Sequence, residues 1–390
     1  MTPSRFIAAR PVRVPTGTLA AAAIALSALA GCGSTTTHTV TKSPSAVSTP
    51  ASVSSSGFTT RVFATGATIQ HNTSKGKQSI FQPDDLTKLG SNIYVAFQNG
   101  LGPMGETASG NSNSTVVEFS SSGSPLAQWD IAGHADGIAT DQAHGRIIVT
   151  VNEDGNSSLY VIDPASHTPV QYHYPALPSH GGTDAVSFWH GMMLISASAP
   201  GTTGKAPPQA SYPAVYAVTL NSSTHTANVR GLFGDEAVAK SANSGATGTT
   251  HLALTDPDSN AVVPSSASRF GGDFELTSQG DGEQIFVADS GAKQLSVLKL
   301  SQAGGDDSAW PTSASGALYV TDNSADLIYK ITGPFKPGTE LIAGSPCDAN
   351  SAPMSCLAKQ YLGQVNMTTG TITKIALTPS IKPKGLLFVP

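Results

Sequence analysis

From about Phe58 onward the chain alternates short runs of β-branched and aromatic residues with breaks rich in Gly, Asp and Ser. Five runs keep a common form: IYVAF from Ile93, IIVTV from Ile147, MLISA from Met193, IFVAD from Ile285 and LYVTD from Leu318. Short apolar runs bounded by turn residues predict strands rather than helices. A further strand is predicted after each, as VVEF from Val116, LYVI from Leu159, VYAV from Val215, LSVLKL from Leu295 and LIYKI from Leu327. A polar approach precedes each, ending in an acidic residue followed by a small or apolar one.

Those approaches read Pro83-Asp84-Asp85-Leu86, Ala135-Asp136-Gly137-Ile138, Thr183-Asp184-Ala185-Val186, Gly272-Asp273-Phe274-Glu275 and Asp306-Asp307-Ser308-Ala309. A last one, Pro383-Lys384-Gly385-Leu386, closes the chain. The following run starts nine to twelve residues after each Asp, so the chain repeats one supersecondary unit. A four-stranded unit of this kind has an apolar face that it cannot hide alone. Stacking the units radially buries each face and leaves only short edges. The predicted fold is all-β, a six-bladed β-propeller over residues 58–390. The sixth unit starts with KGLLFVP and takes its missing strands from TTRVFATGATI at Thr59, the two pairing to remove the open edge. Spacing between starts is uneven, which predicts insertions around 233–270 and 333–360. A seven-bladed ring is the alternative, its extra blade starting at LALTD from Leu252 or AVVP from Ala261.

The DGIAT run at Asp136 and the IYVAF, IFVAD and LYVTD strands resemble the NHL-repeat and senescence-marker/gluconolactonase-like propellers. LYVTD is also similar to the YVTN-type repeats of surface propellers. The resemblance covers most of residues 80–390 and implies the fold. The gluconolactonase-like family carries a divalent cation on a Glu, Asn and Asp set in its channel. No residue-by-residue match for that set is found in this sequence, so neither that cation nor lactonase activity carries over from the resemblance.

Composition agrees with this reading. Gly and Pro are plentiful at 39 and 26, and charged residues make up 12% of the 390, which suits many short strands joined by tight turns. The net charge of −5 gives no basic footprint, and no nucleic-acid partner is expected.

Residues 1–31 read as an address rather than as fold. Arg5, Arg10 and Arg13 precede an apolar stretch, Leu19 to Leu29, which is too short to span a bilayer as a permanent helix. Leu29-Ala30-Gly31-Cys32 follows and resembles the bacterial lipobox. That resemblance implies cleavage before Cys32 and a diacylglycerol on its thiol, a palmitate-type anchor on the extracytoplasmic face of the cell membrane. Each buried methylene would contribute about 0.8 kcal/mol to such an anchor. Residues 32–57 are then the lipidated Cys and a tether. From 34 on they are mostly Ser, Thr and Pro and are expected to stay disordered. Cys347 and Cys356 remain as a pair. In an oxidising compartment they are expected to form a disulfide. A metal pair is the second reading, disfavoured because no His or further Cys lies near in sequence.

Strand starts in a propeller converge at one mouth of the channel. The aligned positions predict a ring of Asp84, Asp136, Asp184, Asp273, Asp307 and Lys384, with His134 and His180 just upstream of two of the aspartates. Two unit charges about 10 Å apart repel by about 1.7 kcal/mol at an effective dielectric of about 20. A dry, unpartnered ring would cost on the order of ten kcal/mol. The aspartates must therefore be wet, bonded to backbone amides, paired with Lys384, or holding a cation. Calcium or another divalent ion on Asp136, Asp184, His134 and His180 is the sharpest of these readings. Backbone bonding of each Asp and plain surface histidines are the bland ones. Thr255-Asp256-Pro257-Asp258-Ser259-Asn260 has acidic spacing but lacks the Gly and Glu of an EF-hand loop, and reads as a turn. No nucleophile elbow or catalytic triad motif is present. The function predicted is a membrane-anchored binding or scaffold module for a protein, glycan or small ligand. The alternative is a divalent-metal-dependent hydrolase, lactonase-like, or a lyase, with its site at the central channel mouth.

Overall fold

The computed structural model describes residues 38–39, 52–166, 168–177, 182–198, 212–344 and 360–390, all within the part of the chain that runs from Thr35 to Pro390. Every helix or strand among them is a strand. The strands form antiparallel runs of four. The first is Pro83–Leu89, Asn92–Phe97, Asn113–Phe119 and Pro125–Ala132. The second is Ala135–Asp141, Arg146–Val151, Ser158–Asp163 and Thr168–His173. The third is Val186–Trp189, Met192–Ser196, Pro213–Asn221 and Thr226–Gly234. A single parallel bridge, His173 to Thr226, joins the second and third into one eight-stranded sheet. The fourth run is Pro257–Val262, Phe274–Ser278, Glu283–Val287 and Leu295–Lys299.

The remaining two runs are interleaved. The chain lays down Gly305–Ala309, crosses to the neighbouring sheet for Ala317–Asp322 and Leu327–Thr332, then returns with Glu340–Gly344, Tyr361–Val365 and Ile372–Lys374. Its last strand, Leu386–Val389, pairs with Ala317–Asp322, and Thr59–Thr65 pairs with Leu327–Thr332. This corrects two expectations. LYVTD belongs to the sixth run, not to the strand of Asp307, whose partner is Glu340–Gly344. Chain start and chain end share a sheet as expected, but two strands lie between them. The insertion read at 233–270 contains the first strand of the fourth run. That strand takes up AVVP, so the start at Ala261 makes no additional unit.

The apolar runs pack by a simple rule. Successive side chains of a strand point to opposite faces, and each middle strand here is apolar on both. Ile147 and Val149 face the first run, whereas Ile148 faces the third. Ile285 and Val287 face the third run and Phe286 the fifth. Leu318 and Val320 face the fifth, and Tyr319 the first. Among the described residues six apolar clusters each lie between two neighbouring runs, and together they complete a circle. The first strands of successive runs also touch in cyclic order, and Leu386–Val389 touches Pro83–Leu89. The arrangement is that of a propeller. A side chain such as Ile147 or Phe286, fully buried between sheets, contributes about 1.5–3 kcal/mol that a lone sheet would forfeit.

Two pieces of the segment read as a disordered tether are paired. His38–Thr39 lies against Pro125–Ala132, and Ser52–Val53 against Thr59–Thr65. Cys32, Cys347 and Cys356 lie outside the described residues, as does His180. No helix among the described residues is long and apolar enough to cross a membrane.

Candidate functional site

The first strands begin at one end of the ring, and an irregularity in register marks most of those beginnings. Ladder pairing shifts between Pro83 and Leu86, Ala135 and Ile138, Pro257 and Asn260, and Gly305 and Asp307. A bulge bends its strand and re-aims a side chain. Asp84, Asp136, Asp258 and Asp306 each fall within one of these shifts. With Asp85, Asp184, Asp307, Lys384 and Glu153 they line one cavity. The space among them open to a water-sized sphere is about 20 Å³. That is room for one water or one ion, which needs roughly 10–15 Å³, and not for an organic substrate.

The expected ring is thus assembled from Asp84, Asp136, Asp184, Asp307 and Lys384, without Asp273. Asp273 precedes Phe274–Ser278, a second strand, and Phe274 pairs with Val262 at the far end of the first strand. The residue at the mouth is Asp258, from the Thr255–Asn260 segment read as a turn, which instead opens Pro257–Val262. Glu153 was not foreseen either. It follows Arg146–Val151, and in an antiparallel pair the end of the second strand lies beside the start of the first. Gln98 and Asn323 occupy similar places: Asn323 Nδ2 donates to Gln98 Oε1 (3.2 Å), and Gln98 Nε2 reaches Asp136 Oδ1 (3.4 Å).

Close backbone approach holds the two sides of the mouth together. A Cβ on Gly137 would stand 2.6 Å from Ala185 Cα and 2.8 Å from the Asp184 carbonyl. On Gly385 it would stand 2.4 Å from the Asp84 carbonyl. Only glycine leaves room for the next strand at these two positions.

The carboxylates are served unequally. Asp307 accepts from the Leu386 and Ser308 amides and from Ser259 Oγ. Gln279 Nε2 donates to Asp258 Oδ2 (2.7 Å) and Asp306 Oδ1 (2.8 Å). Lys384 Nζ lies 2.7 Å from Asp306 Oδ1 and 3.8 Å from Asp84 Oδ1. On the other side His134 Nε2 lies 3.1 Å from Asp136 Oδ1. No donor among the described residues reaches the Glu153 or Asp184 side chain, and one buried oxygen of each of Asp84, Asp136, Asp184 and Asp306 has no hydrogen-bond partner.

His134 is set up by its other nitrogen. Nδ1 donates to the Leu101 carbonyl at 2.7 Å, which turns Nε2 toward the cavity. Nε2, an Asp136 oxygen and a Glu153 oxygen all lie within 4.8 Å of one another, a spacing that one metal ion can bridge. Burial disfavours the imidazolium, but the Asp136 carboxylate outweighs it and pushes the pKa up to about 9. Burial, then neighbouring carboxylates, raise Glu153, Asp184 and Asp258 well above the usual carboxylate range. Burial pushes Asp84 and Asp307 to about 7. Burial works against the charge of Lys384, yet Asp306 and Asp84 hold it well above its ordinary value.

No protein-family model matches the sequence, and no curated protein does. Among solved structures the chain is similar to the periplasmic gluconolactonase of Pseudomonas aeruginosa, at 15% identity over 85% of this chain and 99% of that one, with a TM-score of 0.44. It is also similar to a catalytically inactive virginiamycin B lyase from Staphylococcus aureus with quinupristin, at 11% identity over 85% and 81%, with a TM-score of 0.38. The β-propeller domain of a protease from Pyrococcus furiosus follows at 9% identity over 77% and 86%, with a TM-score of 0.33. Scores this low carry no argument; the fold rests on the strand pairings above.

Proposed function

We propose that the protein is a lipid-anchored, extracytoplasmic, six-bladed β-propeller that acts as a binding module and whose channel mouth is organised by a divalent cation. One observation carries the cation: eight carboxylates share the mouth with one lysine and one histidine, and buried oxygens of Asp84, Asp136, Asp184 and Asp306 have no hydrogen-bond donor. Two carboxylates about 5 Å apart repel by roughly 3 kcal/mol at an effective dielectric of about 20. A dication between them reverses the sign. The carboxylates of Asp136 and Glu153, with Asp184 beside them, are oxygen donors of the kind Ca²⁺ takes. Adding His134 Nε2 shifts preference toward Mn²⁺ or Zn²⁺. The blade number is supported by the six inter-sheet clusters and by first strands that touch in a circle of six.

The ligand class stays at a protein, glycan or small molecule on the outer surface of the cell. A water-sized cavity supports docking across the mouth rather than enclosure of a substrate. A second reading, a metal-dependent hydrolase or lyase, is favoured by the His134–Asp136 pair, since an imidazole beside a cation can move a proton for a substrate held above the mouth. Metal analysis of the purified full chain after loading with Ca²⁺, Mn²⁺ or Zn²⁺ tests the core of the proposal. Bound metal at a whole-number ratio that disappears in Asp136→Ala supports it, and a metal-free protein with no thermal shift on adding these ions rejects it. The anchor is tested separately by mass spectrometry of the mature N-terminus, where an unmodified Cys32 rejects it.

A further inference from the structure

The acidic mouth has two places suited to a cation, and one of them is filled by the chain itself. Lys384 arrives just before the last strand, and its ammonium sits 2.7 Å from Asp306 Oδ1 and 3.8 Å from Asp84 Oδ1. The Gln279 amide completes this side by bonding Asp258 and Asp306. Across the cavity, among the described residues, the His134–Asp136–Glu153 group has no lysine or arginine; its counter-charge is the His134 imidazolium, whose Nε2 proton a metal ion would displace. Asp136 and Asp184, both 5% exposed, each leave a buried oxygen without a donor there, as Asp84 and Asp306 each do on the side of Lys384. The cavity between the two sides admits only one ion at a time in its present volume.

We infer that the mouth takes one divalent cation, held on the His134–Asp136–Glu153 side, and that Lys384 is a built-in counter-ion that keeps a second cation out of the Asp84–Asp306 side. This rests on the cation reading above and adds stoichiometry and position to it. Like charges in one small cavity exclude each other, so an ammonium between Asp84 and Asp306 both fills that place and repels a neighbour. Removing its charge while keeping most of its length, as in Lys384→Met, frees two carboxylates for metal. The chemistry of that second place is all oxygen, which selects Ca²⁺ or Mn²⁺ over softer ions.

Native mass spectrometry of the full chain titrated with Ca²⁺ and with Mn²⁺ reads this directly. Wild type is expected to bind one ion, Lys384→Met two, Lys384→Arg one, and Glu153→Gln combined with Lys384→Met one. Two ions on wild type, or one on Lys384→Met, overturns the inference while leaving the cation reading standing. No ion on wild type overturns both. Should Lys384→Met fail to fold, wild type alone still decides position. Pulsed electron paramagnetic resonance of the Mn²⁺-loaded protein is expected to show nitrogen coupling from an imidazole, lost in His134→Ala. Bound Mn²⁺ without that coupling places the ion elsewhere and overturns the assignment.

Discussion

Two groups of buried carboxylates lie in this molecule, and they neutralise themselves by different means. At the channel mouth eight acids surround a small cavity with one lysine and one histidine. Between the fourth and fifth sheets, Glu275 and Glu340 are fully enclosed, with no lysine or arginine among their partners in the described residues. Gln284 Nε2 donates to both, Trp310 Nε1 donates to Glu275 Oε2 at 2.8 Å, and Glu340 Oε2 is buried without a partner. Enclosure decides the difference. A fully enclosed carboxyl pair has room only for a proton, and burial raises both pKa values to keep that proton in place. The mouth has room for an ion, and its acids are spaced to hold one. Proton and metal are alternative counter-charges, and access selects between them.

The comparison breaks first if the mouth acids do not need a cation. At a hundredfold excess over its dissociation constant, a bound ion adds about 2.7 kcal/mol of stability. For a domain of this size that is a melting-temperature rise of about 4 °C. Glu153→Gln or Asp136→Ala is expected to abolish the rise and to weaken binding by about 100-fold or more. Calorimetric titration with and without Ca²⁺ or Mn²⁺ measures both quantities. An unchanged thermal shift in either variant removes the mouth from consideration.

The enclosed pair makes the opposite prediction: its stability responds to protons and not to metal. The folded pKa values of Glu275 and Glu340 lie above the ordinary 4.5. The folded state therefore keeps protons that the unfolded chain releases above about pH 4.5. Stability contributed by the pair is complete below that pH and declines as pH rises toward the raised folded values. Glu340→Gln keeps the shape and removes the second charge. It is expected to flatten this decline and to stabilise the protein by roughly 2 kcal/mol in mildly alkaline buffer. Denaturant titrations at several pH values, in the absence of divalent ions, show whether the slope disappears.

Geometry at the mouth is the next element to test. Gly137→Ala forces a methyl group against the Asp184 segment, at 2.6 Å from Ala185 Cα. Overpacking of this kind typically costs about 1–3 kcal/mol. Because it parts Asp136 from Asp184, it should also weaken cation binding by roughly tenfold. Loss of stability without loss of binding means that Asp184 takes no part in holding the ion.

The sheets were easier to read from sequence than the mouth, for a physical reason. Middle strands such as IIVTV and IFVAD are buried on both faces, so they appear as unbroken apolar runs. First strands face the channel and carry polar residues: PDSNAV at Pro257–Val262 and GDDSA at Gly305–Ala309 look like turns. That is why Asp258 was read as part of a turn and Asp273, beside a strongly apolar strand, was placed in the ring. Glu153 belongs to no repeated string; its signal lay in hairpin geometry, which sets the end of each second strand beside the start of the first. The interleaving of the last two sheets had no local signal at all. LYVTD and ELIAG are equally suitable partners for the strand of Asp307, and only the packed ring distinguishes them.

The smallest expected effect separates the two sides of the mouth. Ser259 Oγ donates to Asp307 Oδ1 at 2.9 Å, but that oxygen also accepts from the Ser308 amide and its companion from the Leu386 amide. Removing one donor of three leaves neither oxygen orphaned, so Ser259→Ala should cost no more than about 1 kcal/mol. Asp307 stands on the side already served by Lys384, Gln279 and backbone amides. If the cation lies with His134, Asp136 and Glu153, its affinity in Ser259→Ala should stay within about twofold of wild type by calorimetric titration. A large drop would mean that both sides hold the ion together, and the division of the mouth into a self-neutralised half and a metal-binding half would have to be given up.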